Sequence, residues 1–322
     1  MVDFTVVVPT YNGAQRLPQL LGALRSQVNT ESIHWEILVV DNNSSDSTKQ
    51  LIESYQAIWS GWPMLRYTFE SQQGAAYARQ RGMQDAVSEW VSFVDDDVIP
   101  SSDWVSTAYS FRDSQPQLGA YGGQIHPQFE SDPPEDFKRI QSFLAIRERG
   151  DQPHLYDPEN LVLPPSAAWV VCRQAWLDSV PTKPNLSGRV KGSMVQGDDY
   201  EPLIYMHLAG WKIWYNPDMH VSHQIPKGRL EPSYLVNLSR GCGLCVYSLR
   251  QIMAENLFQQ LLLAAKITAG GLKRALMLLL DHQQKVFTDV VLQCQMVFFL
   301  SSAASPFYSV KALLKRDSAI LP

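Results

Sequence analysis

The first hundred residues alternate apolar, β-branched runs with helical patterns, and this alternation restricts the chain more than any other feature. Strand-like runs occur at FTVVVPT (4 to 10), WEILVVD (35 to 41), LRYTFE (65 to 70) and WVSFVD (90 to 95), with helical patterns over 14 to 27, 46 to 59 and 74 to 87 between them. Such alternation predicts a parallel α/β sheet with helices on both faces. Cover on both faces also explains why the strands are continuously apolar. In open sheets of this kind ligands sit at the carboxyl ends of the strands. Those ends are Pro9, Thr10, Tyr11 and Asn12, then Asp41, Glu70, and the run Asp95, Asp96 and Asp97.

Three adjacent carboxylates at the end of a buried strand repel one another and are costly to bury unpaired. A cation is therefore expected beside them. On an extended chain alternate side chains point the same way, so Asp95 and Asp97 are expected to face one site while Asp96 points elsewhere, toward the loop or the nucleotide. An Asp-x-Asp pair suits Mg²⁺ or Mn²⁺ shared with a diphosphate, and a solvated turn accounts for the spacing equally well.

Asp41 stands where a doubly wound sheet places a carboxylate on the nucleoside of its ligand, although DNNSSDST is also rich in turn and cap residues. In QQGAAYARQRG, Gly74 opens a helix whose amino end can approach a phosphate. Arg79, one turn on, reads as a cation for that phosphate or as a surface ion pair. The second acidic cluster, GDDYE at 197 to 201, offers Asp199 as a general base with Asp198 beside it, or an N-cap pair for the helical run that follows. His223 in HVSH reads as a further metal ligand or as a structural histidine. Trp169, Trp176, Trp211 and Trp214 read as core or as sugar-stacking faces.

The chain has 322 residues, 45% hydrophobic and 18% charged, which excludes disordered and fibrous classes. Its amino terminus shows no basic n-region or cleavage site, so a cytoplasmic location is expected. Four irregularly spaced cysteines imply no disulfide framework, and CGLC lacks the second pair a zinc site needs. The formal charge of −5 is unevenly spread: from Pro226 onward 11 Lys and Arg face 5 Asp and Glu, leaving −11 on the first 225 residues. An acidic body argues against nucleic acid as a partner, and a basic, apolar tail fits peripheral contact with an anionic membrane.

Regular alternation stops near residue 101. We divide the chain into a half whose strand ends form a ligand site (1–100), an acceptor-facing half (101–230) and a helical C-terminal region (231–322). In that last region Leu257, Phe258, Leu261 and Leu262, then Leu272, Leu276, Leu279 and Leu280, recur at three-and-four spacing. Residues 290 to 310 carry no charge for 21 positions, just enough to span a bilayer. Their glutamines, serines and Pro306, with Lys311, Lys315 and Arg316 following, favour a buried or interfacial helix.

Taken in order, VVVPTYNGAQRLPQLLGAL, EILVVDNNSSDST, QGAAYARQRG, FVDDDVIP, PPSAAWVVCRQAW and GDDYEPLIYMHLAGWKIWYNP resemble the inverting family 2 glycosyltransferases of GT-A fold over residues 4 to 225. The resemblance implies a Rossmann-like mixed sheet with a C-terminal helical extension. It places Asp41, Thr10 and Tyr11 at the nucleobase pocket, Arg79 near the nucleotide, Asp95 and Asp97 on metal and diphosphate, and the catalytic base at Asp199. Asp198 replaces the family's usual glutamate, and Gln80 stands where an asparagine is usual. AYGGQIHPQFESDPPEDFKRIQSFLAIRERG, PHLYDPENLVLPPSA and GWKIWYNPDMHVSHQIP look like the cyanobacterial hormogonium-polysaccharide glycosyltransferases. The implied reaction is sugar transfer from a nucleotide-diphosphate donor, commonly uridine-linked, to a glycan or lipid-linked glycan at the inner face of the plasma membrane. A sugar-nucleotide nucleotidyltransferase and a non-catalytic glycan-binding protein are the alternatives. The former usually carries a glycine-rich loop with an arginine where PTYNGAQRLP stands.

Overall fold

The computed structural model describes residues 2–190 and 192–318, with side chains to Lys311. The side chains of Lys315 and Arg316, used above to weigh a membrane span, lie outside the described residues. The strands are β1 (Phe4–Thr10), β2 (Trp35–Asp41), β3 (Met64–Phe69), β4 (Trp90–Val94), β5 (Val98–Pro100), β6 (Leu118–Phe129), β7 (His154–Leu155), β8 (Ala168–Cys172) and β9 (Lys212–Ile225). The helices are α1 (Leu17–Arg25), α2 (Thr48–Ile58), α3 (Ala75–Asp85), α4 (Trp104–Phe111), α5 (Arg173–Ser179), α6 (Tyr200–Leu208), α7 (Pro232–Leu244), α8 (Val246–Gln251), α9 (Leu257–His282) and α10 (Val290–Ser318).

The chain divides into two compact units. One comprises residues 1–128, 145–187 and 198–225, and the other 129–144, 188–197 and 226–322. The first holds the sheet, in the order β3-β2-β1-β4-β8-β6-β9-β5 with β7 on β9. Strands β1 to β4 pair in parallel, as their alternation with helices requires. From β8 onward the pairing is antiparallel, so the sheet is mixed. The expected boundary at residue 100 cuts this one sheet, because β4 pairs directly with β8.

Every residue of β2 is buried. Its one internal charge, Glu36, accepts from Thr5 Oγ1 at 2.9 Å and from Arg66 Nη1 at 3.0 Å, which is the condition for burying a carboxylate. Helix α1 covers the sheet through Leu17, Leu20, Leu21 and Leu24, spaced for one helical face. Register aligns Thr10 with Asp41, bringing the ends of β1 and β2 side by side. Trp169 is fully buried, resolving its two readings in favour of the core.

The second unit is mainly helical. Helix α10 packs closely on both α7 and α9: a Cβ on Gly243 would stand 2.6 Å from Ser301 Cβ, and one on Gly271 would stand 2.7 Å from the Phe299 carbonyl oxygen. The 290 to 310 segment is thus a helix with Leu292, Cys294, Ser302 and Ser305 buried against protein. It is also the one helix among the described residues long and apolar enough to cross a membrane.

Candidate active site

The parallel strands deliver Thr10, Asp41 and Asp95 to one edge of the sheet, as the order of the strand ends predicts. Strand β4 ends at Val94, however, and the next three residues form a turn closed by the Val98 N–H donating to the Asp95 carbonyl at 3.1 Å. The extended geometry expected to aim Asp95 and Asp97 together is therefore absent, and the turn sends the three carboxylates to different partners.

Asp96 accepts from Thr10 Oγ1 at 2.5 Å and from Arg16 Nε and Nη2, each at 2.8 Å. Burial pushes its carboxyl upward against the opposing hydrogen bond from Arg16. Asp96 was expected in the nucleotide set, and it instead fastens the β1–α1 loop, where Arg16 also donates to the Tyr11 carbonyl at 3.0 Å. Asp97 lies beside His223, with Oδ2 3.7 Å from Nε2 and both side chains nearly closed to solvent. Antiparallel pairing of β5 with β9 makes this contact by setting Val98 opposite His223.

Asp95 falls within the electrostatic reach of Arg79 and Asp199. Asp95, Asp97 and His223 are therefore not gathered as the expected three-ligand set: among the described residues no three His, Cys, Asp or Glu side chains form a metal-holding group. Asp97 and His223 do fit as two ligands, because a carboxylate oxygen and an imidazole nitrogen 3.7 Å apart are close enough to bind one cation. Mg²⁺ or Mn²⁺ commonly completes such a site with water and substrate phosphates.

Asp41 is buried, accepting from Tyr67 Oη and from the Ser44 N–H, each at 2.9 Å. The turn reading of DNNSSDST is thus realised, while the carboxylate retains further lone pairs. Asn42 Nδ2 donates to the Gln72 carbonyl at 2.7 Å and its Oδ1 accepts from the Gly74 N–H at 2.7 Å, so Asn42 clamps the approach to α3. Pro9 is half-buried and Tyr11 is exposed beside them. At the mouth of α3, Gly74 has φ +136°, and a Cβ there would stand 2.6 Å from the Ser187 carbonyl oxygen.

Neither reading of Arg79 anticipated its surroundings. It is buried, donating from Nη1 to Asp198 Oδ2 at 2.7 Å and from Nη2 to Ser166 Oγ at 2.8 Å. The helix therefore carries a cation under the second acidic cluster, 119 positions away in sequence. Asp198 is thereby neutralised, and Asp199 beside it is not. Asp199 begins α6, with Oδ1 accepting its own helix's Tyr200 N–H at 3.0 Å. The residue is half-buried, and desolvation, reinforced by the Asp198 charge and partly offset by Arg79, holds its carboxyl up to about 6. A carboxylate with that affinity for protons is suited to accepting one near neutral pH.

Several supporting residues were not singled out from the sequence. Arg147 Nη2 donates to Tyr200 Oη at 3.0 Å, and its charge reaches Asp199. Glu201 accepts the Leu186 N–H at 2.8 Å and the Asn185 N–H at 2.9 Å, pinning the loop that reaches Ser187. Ser166 lies within PPSAAW, a run already marked by the resemblance.

The sequence matches the family described as Glycosyl transferase family 2 over residues 5–173. It is 31% identical over 106 residues to glycosyltransferase AglE of Haloferax volcanii, covering 33% of this chain and 34% of that protein. It is 31% identical over 114 residues to the poly(ribitol-phosphate) beta-N-acetylglucosaminyltransferase TarS of Staphylococcus aureus, covering 35% of this chain and 19% of that protein. The matched stretches thus span about a third or less of these relatives' own length. Among solved structures, the mannosyltransferase PcManGT from Pyrobaculum calidifontis, in complex with GDP-Man and Mn²⁺, superposes with a TM-score of 0.58 at 19% identity, covering 97% of this chain and 87% of that one. At that identity the likeness speaks for the fold alone, a mixed α/β sheet of GT-A type.

Proposed function

Because this chain belongs to glycosyl transferase family 2, we propose that it transfers a sugar from a nucleotide-diphosphate donor to an acceptor hydroxyl with inversion at the anomeric carbon. The carrying observation is Asp199, a half-buried carboxyl held up to about 6 beside an ion-paired Asp198. In this reading the acceptor hydroxyl loses its proton to Asp199 as its oxygen bonds to the anomeric carbon, and the glycosidic bond to the diphosphate breaks on the opposite face. The products are the glycosylated acceptor and the nucleoside diphosphate.

Thr10, Tyr11 and Asp41 border the nucleoside, and the amino end of α3 at Gly74 faces the donor. Asp97 and His223 are the residues that would hold Mn²⁺ or Mg²⁺; when bound, the ion neutralises charge on the departing diphosphate. Arg79 acts by holding Asp198, which keeps the second negative charge of the pair from adding fully to that of Asp199. A uridine diphosphate donor follows the sequence resemblance. A polysaccharide product follows that resemblance and the name of the TarS relative. The acceptor in this reading is a glycan or lipid-linked glycan at the cytoplasmic face of the membrane, met through the C-terminal region, and a place among the cyanobacterial hormogonium-polysaccharide enzymes follows the sequence resemblance alone.

A screen of nucleotide sugars scored by release of nucleoside diphosphate, with membrane lipid as acceptor, tests the reading. Asp199→Asn is expected to bind donor normally and lower transfer by about 10²–10⁴-fold, the range for a general base. Undiminished transfer by this variant would reject the assignment.

A further inference from the structure

Helix α9 leaves its most apolar face bare. Its inner face, Ile267, Gly271, Ala275 and Leu278, is buried, and Thr268 Oγ1 donates to the Ala303 carbonyl of α10 at 3.0 Å. On the other side, Phe258, Leu261, Leu262, Leu272, Leu276 and Leu280 are 44% to 74% exposed. At 3.6 residues per turn these positions fall in one arc, with exposed Ala265 and Ala269 between them. The stripe runs unbroken from Phe258 to Leu280, about 33 Å at 1.5 Å per residue. Lys266 and Lys273, both exposed, stand along one edge of it. Asp281 is the only acidic residue of the helix, against Lys266, Lys273 and Arg274.

We propose that α9 lies in the plane of an anionic membrane surface, with the stripe in the acyl boundary and Lys266 and Lys273 on lipid headgroups. A long helix with one apolar face, one cationic edge and modest overall hydrophobicity is the form of an in-plane anchor. The charges argue against a second copy of this chain as the occupant. A two-fold antiparallel pairing centred on the stripe sets Lys266 of each copy against Lys273 of the other, and in a parallel pairing the lysine edge meets no acidic residue of the helix, whose one acid is Asp281. An anionic bilayer covers the same apolar area and neutralises both cations.

The architecture of the second unit also favours lying on the bilayer over crossing it. The helix of crossing length, α10, is engaged within the unit: Ser305 Oγ accepts the Tyr247 N–H of α8 at 3.2 Å, and the Ala303 carbonyl accepts from Thr268 Oγ1 of α9 at 3.0 Å. This inference specifies the membrane contact of the proposed function. Its support comes from the helices of the second unit and does not depend on the catalytic assignments.

Co-sedimentation of the full chain with phosphatidylcholine vesicles, with and without phosphatidylglycerol, tests it. Binding is expected to the anionic vesicles, and alkaline carbonate is expected to release the bound protein. Leu272→Gln with Leu276→Gln is expected to lower partitioning at least tenfold. Lys266→Gln with Lys273→Gln is expected to lower it roughly 25-fold on anionic vesicles and to leave neutral ones unaffected, at about fivefold per cation. All four residues are exposed, and unchanged circular dichroism verifies folding. Undiminished binding by the leucine variant, resistance to carbonate, or a stripe-dependent dimer that binds no vesicle would each overturn the proposal. Donor hydrolysis measured without lipid reports the catalytic reading separately: its absence from every variant and the parent leaves the vesicle result intact.

Discussion

Asp199 occupies a helix start, where a negative charge is ordinarily favoured, yet burial and the adjacent Asp198 outweigh that effect and hold its carboxyl up to about 6. Two measurable consequences follow. The base is competent only when ionised, so kcat/KM for transfer is expected to fall by nearly tenfold per pH unit below about 6 and to level off above it. The folded-state value also lies above the ordinary unfolded value of about 3.9. Its stabilising contribution is therefore full below about pH 4 and is lost as the pH rises through about 6, amounting to about 1–3 kcal/mol. Asp199→Asn should raise the thermal midpoint at pH 7.5 while leaving it nearly unchanged at pH 4, a gain in stability alongside the loss of transfer. Asp97→Asn belongs at the same scale. If Asp97 and His223 hold the metal, calorimetry should find Mn²⁺-dependent nucleoside diphosphate binding weakened about tenfold or more, with metal-free binding unchanged.

Among the elements, α3 has the most demanding position. It must bring Arg79 beneath Asp198, and it starts at Gly74, whose φ of +136° and close approach to the Ser187 carbonyl leave no room for a side chain. Gly74→Ala should cost about 1–3 kcal/mol from backbone strain alone, and its effect on transfer should exceed its effect on the denaturation midpoint, because Arg79 moves with the helix. The periodicities were legible at this level: each predicted strand and helix of the first hundred residues reappears with ends shifted by a few positions. The acidic run was legible as a site but not as a geometry. Period-two reasoning needs an extended chain, and the chain turns at Asp95. Helix α9 shows the converse. Its leucine spacing announced a helix, but spacing cannot say which face meets protein, and the small residues Gly271 and Ala275 took the inner face.

For the whole molecule, the two units interleave in sequence, since residues 129–144 and 188–197 belong with the C-terminal helices. Within that unit, Gly241 of α7 packs directly on the Met194 backbone, so the loop leading to Asp198 depends on a helix beyond residue 225. A chain ended at Ile225 should therefore be cleaved rapidly by protease within 188–197 and lose transfer, where the full chain resists. By itself the sequence determined the βα alternation, the strand-end location of Thr10, Asp41 and Asp95, and the second acidic pair, because periodicity and composition are local properties. Only the tertiary structure decided that Arg79 pairs directly with Asp198, that Asp96 serves Arg16, that Asp97 meets His223, and that α9 presents its leucines outward. These pairings join residues up to 126 positions apart. They depend on which strands lie side by side and which helix faces are taken, and no local pattern encodes that.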